Sequence, residues 1–283
     1  MRNAMRLMWA VLVSAMCCVT NVSWATDQLL HEFAGGTSDG SSPNGSLTLS
    51  NNYLYGMTYS GGTSDQGTVF RMSVNGGPVE ILHNFSGSAS GNPWGGTLLV
   101  DGSNIYGMTY RGGGNVFKID TANGNAFTAL HTFTGAPGDG VSPNGSLVLV
   151  GSDLYGMTEG GWDAGDNYKP GTIFKVSTSG GPTTILHYFT GAPSDGSAPV
   201  GSLTVSGSNL YGMTTTGGNG GVGDMGTIFK TDVSGSQYSV IHNFAGGTAD
   251  GSYPYYSDVT AADGVLYGMT SHGGSTLDDG DGR

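Results

Sequence analysis

Short apolar segments alternate with turn residues along almost the whole chain. In the first clear unit, such segments cover residues 45–50, 53–59, 68–74 and 79–85. The intervening residues 51–52 and 75–77 are Asn and Gly, which favour tight turns. Helical periodicity of 3.6 residues is missing and glycine is frequent, so the pattern predicts strands and not helices. The unit is therefore predicted to fold as four short β-strands.

The unit recurs along the chain, and the string Leu/Ile-Tyr-Gly-Met-Thr marks each copy. Its tyrosines are Tyr55, Tyr106, Tyr155, Tyr211 and Tyr267. Four strands in about 50 residues, repeated in tandem, are typical of the blades of a β-propeller. We therefore predict an all-β fold, a β-propeller of about five four-stranded blades.

The repeated string itself is predicted to be a packing unit between blades. Both faces of a propeller blade contact neighbouring blades, so its strands carry apolar side chains on both sides. Gly56 and its equivalents are expected where a ring or backbone comes close. Met57 and its equivalents are expected to fill gaps between blades. A direct binding role for the string is the alternative.

The last unit is predicted to be incomplete. No Gly-Thr-Val/Ile-Phe segment follows Tyr267, whereas such a segment gives units one, three and four their third strand, and Asn115-Val-Phe117 gives it in unit two. Residues 28–33 carry Leu-His-Glu-Phe, the fourth-strand pattern, without the three preceding strands. These residues could complete the last blade and close a ring. The alternative is that the chain is a fragment of a longer propeller.

Histidine also recurs, in Leu/Ile-His-x-Phe within the predicted fourth strand of each unit: His31, His83, His131, His187 and His242. Outer strands of different blades lie tens of Å apart, whereas a metal needs ligands within about 2.0–2.1 Å of one ion. The histidines are therefore predicted to be hydrogen-bonded packing residues. No cofactor is predicted. Calcium is the alternative, at Asp-Gly turns or near the C-terminus, although no complete loop with a bidentate Glu is present; the candidate ligands are Asp39, Asp139, Asp195, Asp250, Asp278, Asp279 and Asp281.

The first 25 residues have the features of a secretory signal peptide. Arg2 and Arg6 precede an apolar stretch at residues 7–19, and Ser-Trp-Ala ends at residue 25. Residues 26–283 are then one repeat domain that contains no cysteine, which excludes disulfides and thiolate chemistry there. We predict a secreted protein, extracellular or on the cell surface, with the periplasm as the alternative, and no membrane-spanning segment.

Charge narrows the range of partners. The formal net charge of −12 becomes −14 when Arg2 and Arg6 are removed, because residues 1–25 contain no acid. Such an acidic surface repels phosphate backbones, so nucleic acid is not an expected partner.

The ordered motifs Leu-Tyr-Gly-x-Thr, Gly-Gly, Gly-Thr-Val/Ile-Phe and Leu-His-x-Phe resemble GloVer-type tandem repeats of secreted or surface-anchored bacterial proteins. The resemblance extends over nearly all of residues 26–283. One departure is methionine where that family often has threonine, as at Met57. The resemblance implies an extracytoplasmic repeat protein. It implies no established reaction, so no catalytic residue is carried over.

Candidate ligand-binding residues lie on one end of the predicted propeller. In antiparallel blades the loops 2–3 and 4–1 share an end, and here they are long and variable, as at residues 159–171. Aromatic rings beside carboxylates and amides suit sugars. The candidates are Asn44, Trp94, Asn144, Glu159, Trp162, Asp163, Asp166, Tyr168 and Tyr255.

These candidates predict a non-catalytic scaffold for an extracellular ligand or surface polymer, with polysaccharide as one class. The alternative is a carbohydrate-active enzyme, a glycoside hydrolase or lyase, that pairs Glu159 with Asp163 or Asp166.

Overall fold

The computed structural model describes residues 28–87, 91–165, 167–219 and 224–274. The chain divides into two compact units, Met1–Leu30 and His31–Arg283. In the first unit, the described residues 28–30 form no regular element, and the signal peptide predicted at residues 1–25 lies outside the described residues. The second unit contains all the strands.

Blade 1 follows the predicted four-strand order, with its first strand interrupted into two pieces. Its strands are β1 (Gly40–Pro43), β2 (Thr48–Ser50), β3 (Tyr53–Gly61), β4 (Thr68–Ser73) and β5 (Glu80–Asn84). The sheet order is β1-β3-β4-β5, and β2 also pairs with β3.

Blade 2 is the simplest copy. Its strands are β6 (Leu99–Asp101), β7 (Asn104–Thr109), β8 (Asn115–Asp120) and β9 (Ala126–Thr132). The described residues contain two short 3₁₀ turns, both in this blade: Arg111–Gly113 and Thr121–Asn123.

Blades 3 and 4 repeat the same order with added short pairs at the loop end. Blade 3 has β10 (Gly140–Val150), β11 (Asp153–Trp162), β12 (Tyr168–Lys169), β13 (Thr172–Ser177) and β14 (Thr184–Tyr188). Blade 4 has β15 (Gly196–Ser197), β16 (Thr204–Ser206), β17 (Asn209–Thr214), β18 (Thr216–Gly217), β19 (Thr227–Asp232) and β20 (Ser239–Asn243). The ladders within these blades are antiparallel, as expected for a meander.

Tight hairpins join the first and second strands. Between β2 and β3, Asn51 and Asn52 have φ values of 48° and 64°. Positive φ at both central residues defines a type I′ turn, whose twist matches that of the flanking strands. The predicted two-residue turn is therefore confirmed.

The hydrophobic core lies between consecutive blades. Tyr55 and Met57 of blade 1 cluster with Leu98, Ile105 and Phe117 of blade 2. Equivalent clusters join blade 2 to blade 3 and blade 3 to blade 4. The interpretation of the tyrosine-methionine string as an inter-blade packing unit is confirmed.

The glycine of the string lies beneath a phenylalanine ring of the third strand. A Cβ atom on Gly156 would lie 2.7 Å from Cζ of Phe174. The corresponding distance is 2.6 Å for Gly56 and Phe70, and 2.5 Å for Gly107. Only glycine leaves room for the ring, which confirms the close approach expected from the sequence.

The last unit departs from this pattern. Its strands are β21 (Gly251–Ser252), β22 (Thr260–Ala262), β23 (Val265–Tyr267) and β24 (His272–Gly273), and no third or fourth blade strand follows among the described residues. Within the described residues, which end at residue 274, this unit therefore contributes only the first and second strands of a blade.

The Leu-His-Glu-Phe segment near the N-terminus does not complete the last blade within the described part of the chain. Residues 28–33 form no strand. Instead, the Phe33 ring lies 5.1 Å from the Phe70 ring of blade 1, edge to face. Phe85 of the outer strand β5 makes the same contact with Phe117 of blade 2, at 5.4 Å. Phe33 therefore packs on blade 1 as Phe85 packs on blade 2.

Candidate ligand site at the loop face

The first strands of successive units come into direct contact at their loop ends. A Cβ atom on Gly45 would lie 2.3 Å from the Gly96 carbonyl oxygen, and one on Gly96 would lie 2.4 Å from the Gly145 oxygen. The series continues from Gly145 to Gly201 and from Gly201 to Ser257, at 2.1 and 2.2 Å. The residues just before these positions are therefore brought close together.

Hydrogen bonds hold this series of strand ends in place. Thr97 N donates to Ser146 Oγ at 2.9 Å, and Ser146 N donates to Ser202 Oγ at 2.9 Å. Ser202 N donates to Asp258 Oδ1 at 2.5 Å. Each bond joins one blade to the next, so the loop end has a rigid floor for side chains.

Aromatic side chains gather above this floor. Trp94 Nε1 donates to Tyr256 Oη at 2.9 Å, although 162 residues separate them. The Tyr59 ring meets Trp94 edge to face at 5.3 Å, and the Tyr110 ring lies 6.5 Å from Trp94. Tyr255 lies beside Tyr256 with ring centres 4.2 Å apart. Trp94, Tyr255 and Tyr256 are 37%, 52% and 43% exposed, so part of each ring is available to a ligand.

The Glu159 carboxylate connects these aromatic side chains to the buried amide of Asn144. Glu159 accepts hydrogen bonds from Tyr110 Oη at 2.9 Å and from Asn144 Nδ2 at 2.7 Å. The other side of the Asn144 amide accepts from Gly145 N at 2.7 Å, and Asn144 is only 1% exposed. Asn144 therefore acts as a support for Glu159 and offers almost no surface to a ligand.

The surroundings of Tyr110 and Tyr255 disfavour ionisation of their hydroxyl groups. Burial raises the pKa of Tyr110, and the hydrogen bond to the Glu159 carboxylate contributes further, to about 12. The hydrogen bond with Tyr256, then burial, raises the pKa of Tyr255. These hydroxyls therefore remain hydrogen-bond donors at neutral pH.

A cavity of about 210 Å³ opens beside Trp94. It is lined by Asn44, Gly45, Trp94, Gly95 and Tyr256. Pockets for drug-sized ligands usually measure about 300–1,000 Å³, so this one suits a single ring-sized group. We call the set formed by Asn44, Tyr59, Trp94, Tyr110, Glu159, Tyr255 and Tyr256 the aromatic cluster.

The remaining candidates form a separate group beside blade 3. The Trp162 and Tyr168 rings lie 5.3 Å apart. Trp162 also covers the preceding loop, because a Cβ on Gly135 would lie 3.0 Å from its ring. Asp163 accepts from Asn167 N at 3.0 Å and pairs with Lys169 Nζ at 3.2 Å. Hydrogen bonds from Asn167 lower the pKa of Asp163 to about 2. Asp166 lies outside the described residues.

Tyr59, Tyr110 and Tyr256 were missed by the sequence reasoning. A signal for one of them exists in the spacing of the first strands. Each first strand has an apolar residue shortly after a proline. The spacing between the two is four residues in units one, three and four, but five residues in units two and five. The extra residue lies in the segments that contain Trp94 and Tyr256. Tyr59 and Tyr110 follow the repeated string and carry no comparable signal.

Four of the repeated histidines are hydrogen-bonded to the aspartates eight residues later and so fix the turn between them. We call each such pair a turn lock. His187 Nε2 donates to Asp195 Oδ2 at 2.9 Å, and His131 Nε2 lies 3.1 Å from Asp139 Oδ1. The His187 ring stacks on Tyr238 of the next blade, with ring centres 3.5 Å apart. The prediction of hydrogen-bonded packing histidines is confirmed at these positions. In unit one, Gly91 replaces the aspartate, and His83 stacks instead on Phe127 at 4.0 Å.

Backbone N–H groups also bind the aspartates of these turns. Asp195 accepts from Thr190 N at 2.9 Å and from Gly196 N at 2.7 Å, one on each carboxylate oxygen. Asp39, Asp139 and Asp250 make the same pair of bonds. A calcium ion would have to compete with these donors. Asp278, Asp279 and Asp281 lie outside the described residues, and the calcium alternative stays an untested prediction.

These turns predict a loss of stability in acid. Burial raises the pKa of Asp195, but hydrogen bonds from His187, Tyr238 and Thr190 outweigh it and leave the pKa below its ordinary value. A lowered pKa gives stability that is present at neutral pH and lost as pH falls below about 4. We expect Asp195→Asn to flatten the pH dependence of the unfolding midpoint between about pH 4 and 2. Asp101→Asn, at the exposed end of β6, should leave this slope unchanged; equal slopes in both variants would contradict the turn-lock role.

Comparison with solved structures supports the fold. The chain is similar to a chain in the crystal structure of a nidogen/laminin complex, with a TM-score of 0.51 and 15% identity. The match covers 81% of this chain and 71% of that chain. At this identity the likeness concerns the fold alone, which is β-propeller-like.

Two TolB structures also align. The putative TolB from Agrobacterium tumefaciens matches at 13% identity and a TM-score of 0.43, over 80% of this chain and 87% of that one. TolB from Acinetobacter baumannii matches at 12% identity and a TM-score of 0.44, over 81% of this chain and 51% of that one. No curated protein matches the sequence.

Among the described residues, no helix is long and apolar enough to cross a membrane.

The repeat pattern identifies the family directly. The family model of the Gloeobacter/Verrucomicrobia repeat matches residues 19–164 and 114–282, which together include nearly the whole chain. The chain therefore belongs to the Gloeobacter/Verrucomicrobia repeat family.

Proposed function

We propose that this protein is a secreted, non-catalytic propeller scaffold that binds a neutral carbohydrate polymer through the aromatic cluster. The observation that carries the proposal is the half-exposed Trp94, which is fixed by Tyr256 and lies beside a ring-sized cavity. Aromatic faces stack on the apolar face of a sugar ring, and polar groups at their edges bind its hydroxyls. The aromatic cluster offers exposed ring faces and polar groups at their edges on one surface.

The polar groups of the cluster favour sugar hydroxyls over charged ligands. Glu159 supplies an acceptor, and the tyrosine hydroxyls supply donors and acceptors at one edge of the rings. A formal net charge of −12 disfavours polyanions. Neutral polysaccharides therefore fit the cluster better than uronate-rich or sulfated ones.

Preorganisation supports a binding role. Tyr59 contacts the edge of Trp94, and Tyr256 accepts its indole N–H, so the indole is already oriented before a ligand arrives. Side chains that are fixed in advance lose less conformational entropy on binding. The floor of inter-blade hydrogen bonds holds the participating strands together.

Replacing Trp94 tests this proposal against the second aromatic group. We expect Trp94→Ala to weaken the affinity for a neutral polysaccharide by about 2 kcal/mol, which is about 30-fold in the dissociation constant. The matched control is Trp162→Ala, another tryptophan at the loop end, which should keep its affinity. Affinity electrophoresis in gels containing a β-glucan, a xylan or a mannan measures retention, and thermal unfolding checks the fold of each variant.

Two outcomes would contradict the proposed site. Loss of retention in Trp162→Ala with retention kept in Trp94→Ala would place the ligand at the blade 3 group instead. Retention of none of the neutral polymers by the folded wild-type protein would contradict carbohydrate binding itself.

A carbohydrate-active enzyme on the same scaffold is the second candidate, because Glu159 is a carboxylate within the cluster. Hydrolysis by the common mechanisms uses two carboxyl groups that flank the scissile bond. Here the Glu159 carboxylate bonds to Tyr110 and Asn144, whereas Asp163 bonds to Asn167 and Lys169. Glu159 and Asp163 thus belong to different hydrogen-bond networks, and Asp166, the other partner proposed from the sequence, lies outside the described residues. Product release from a retained polymer, abolished by Glu159→Gln, would favour the enzyme.

A further inference from the structure

A second cavity lies beside the aromatic cluster, between the loops of blades 1 and 2. It has a volume of about 420 Å³, and its lining consists of Ser64, Gln66, Gly87, Arg111 and Gly112. A hydroxyl, an amide and a guanidinium group therefore face one space that is large enough for a small ligand. We call this space the inter-blade cavity.

The Tyr59 ring connects the inter-blade cavity to the aromatic cluster. The Arg111 guanidinium lies over this ring, with its Cζ atom 5.8 Å from the ring centre. The same ring meets Trp94 edge to face, with ring centres 5.3 Å apart. Only one aromatic ring therefore separates Arg111 from Trp94. A sugar chain that stacks on Trp94 can reach Arg111 with a neighbouring unit or a side group.

A buried amide fixes the two sites relative to each other. Asn92 Nδ2 donates to the Tyr59 carbonyl at 2.8 Å, and Asn92 N donates to the Gln66 carbonyl at 2.7 Å. The Asn92 carbonyl accepts from Tyr110 N at 3.3 Å, and Asn92 is only 3% exposed. The backbone beneath both sites is thus one hydrogen-bonded unit, so a ligand can span them without first ordering the loops.

Arg111 offers a positive charge that no acid of the described residues neutralises. It is exposed, and none of the ion pairs among these residues includes it. Lys169, another cation of the loop end, is paired with Asp163 at 3.2 Å. Asp65 belongs to the same loop as the cavity wall, but its carboxylate accepts from Gly61 N at 2.8 Å. The guanidinium is therefore available to an anionic group of a ligand.

The geometry of a guanidinium group favours a carboxylate as that anion. Its N–H groups form a planar fork that matches the two oxygens of a carboxylate. Stacking on an aromatic face orients the plane of the fork and leaves its edge free for hydrogen bonds. In sugar polymers, carboxylates occur on uronate units. Arg111 over Tyr59 thus has the chemistry to select a sugar that carries one carboxylate.

We propose that the inter-blade cavity binds a single carboxylate side group, such as a uronate, on an otherwise neutral polysaccharide whose backbone lies on the aromatic cluster. This proposal rests on the proposed function, because the aromatic cluster supplies the site for the backbone. Arg111 binds the carboxylate, and Ser64 and Gln66 bind hydroxyls of the same sugar.

The density of charge separates this ligand from a polyuronate. A protein with a formal net charge of −12 repels a polyanion along its whole length. An isolated carboxylate interacts mainly with charges within about 8 Å at physiological salt, where the Arg111 guanidinium is its partner. An exposed ion pair contributes little by itself. Arg111 is therefore a determinant of selectivity, and the rings supply most of the affinity.

The probes are the β-glucan, the xylan and the mannan of the carbohydrate test, each after sparse carboxymethylation. The methyl ester of each carboxymethylated polymer is the matched neutral form. We expect the protein to bind the acid form about fivefold more tightly than the ester, measured by titration calorimetry. The difference should shrink in about 1 M salt, because screening weakens an exposed ion pair.

Two variants with the same change in net charge locate the preference. Arg111→Met keeps an unbranched side chain over Tyr59 and should remove the preference for the acid form, with the affinity for the ester unchanged. The control Lys118→Met removes a cation from the middle of β8 and should keep the preference. Arg111→Lys retains the charge without the fork and should keep only part of the preference.

Three results would overturn this proposal while leaving the proposed function intact. They are equal affinity of the wild-type protein for the acid and ester forms, a preference that persists in Arg111→Met, and a preference that Lys118→Met removes as well. The last result would assign the preference to net charge. Failure of the folded wild-type protein to bind any form of any polymer would overturn the proposed function, and this proposal with it.

Discussion

Replacing Tyr155 with alanine should lower the free energy of unfolding by about 3–5 kcal/mol, as for other large buried aromatic side chains. Tyr155 is 3% exposed, packs in the cluster between blades 3 and 4, and donates its hydroxyl to the Val233 carbonyl at 3.3 Å. The substitution removes the ring from both blades and leaves a cavity and an unpaired carbonyl group. Denaturant titration followed by circular dichroism measures the change.

Tyr267 provides a matched control at the same repeat position. It is 58% exposed in the incomplete last unit, so Tyr267→Ala should cost well under about 1 kcal/mol. A similar loss in both variants would show that the tyrosine acts within its own unit, and the inter-blade explanation of the repeated string would be wrong. The variant Tyr155→Phe separates packing from the hydroxyl and should lose about 1 kcal/mol.

Adding a single methyl group at Gly156 is the second substitution with a large expected effect. The new Cβ would lie 2.7 Å from the Phe174 ring, closer than carbon atoms can approach, so the ring must shift in a filled core. We expect Gly156→Ala to destabilise the protein by about 1–3 kcal/mol. The thermal unfolding midpoint is the measurement.

The same substitution at Gly268 should be tolerated. Its Cβ would meet Met213 at 3.5 Å, an ordinary van der Waals distance. Glycine also has a larger unfolded-state entropy than alanine, so Gly268→Ala should be neutral or slightly stabilising. Equal destabilisation at both positions would mean that glycine is required for its backbone conformation and not for the room that it leaves for the phenylalanine ring.

Both tests compare the interfaces between blades with the exposed last unit, and neither changes the aromatic cluster. The aromatic cluster depends on the strand ends of units one, two, three and five, where Trp94 meets Tyr256. A stable variant with altered carbohydrate binding therefore points to the aromatic cluster, and a destabilised variant points to the blade interfaces.

The sequence by itself determined the elements and the way the blades pack. The strands and the Asn51-Asn52 hairpin follow from residues within one unit, so local preference and the two-residue strand period are sufficient. The packing role of the Leu/Ile-Tyr-Gly-Met-Thr string follows from its repetition, because a string that recurs once per blade is expected to serve contacts that recur between blades. The same logic predicted that the last blade would lack its third strand.

Only the tertiary structure decided which loop residues meet. Trp94 and Tyr256 are 162 residues apart, and Glu159 bonds to Tyr110 and Asn144 while the neighbouring Trp162 turns to Tyr168. The nine candidates of the sequence therefore separate into members of the aromatic cluster, the buried Asn144 that supports Glu159, and a group beside blade 3, with Asp166 outside the described residues. Such contacts depend on the rotation between successive blades and on insertions of one residue, which local preferences do not encode. That is the physical reason why the repeat could be read from the sequence, whereas the site that departs from the repeat could not.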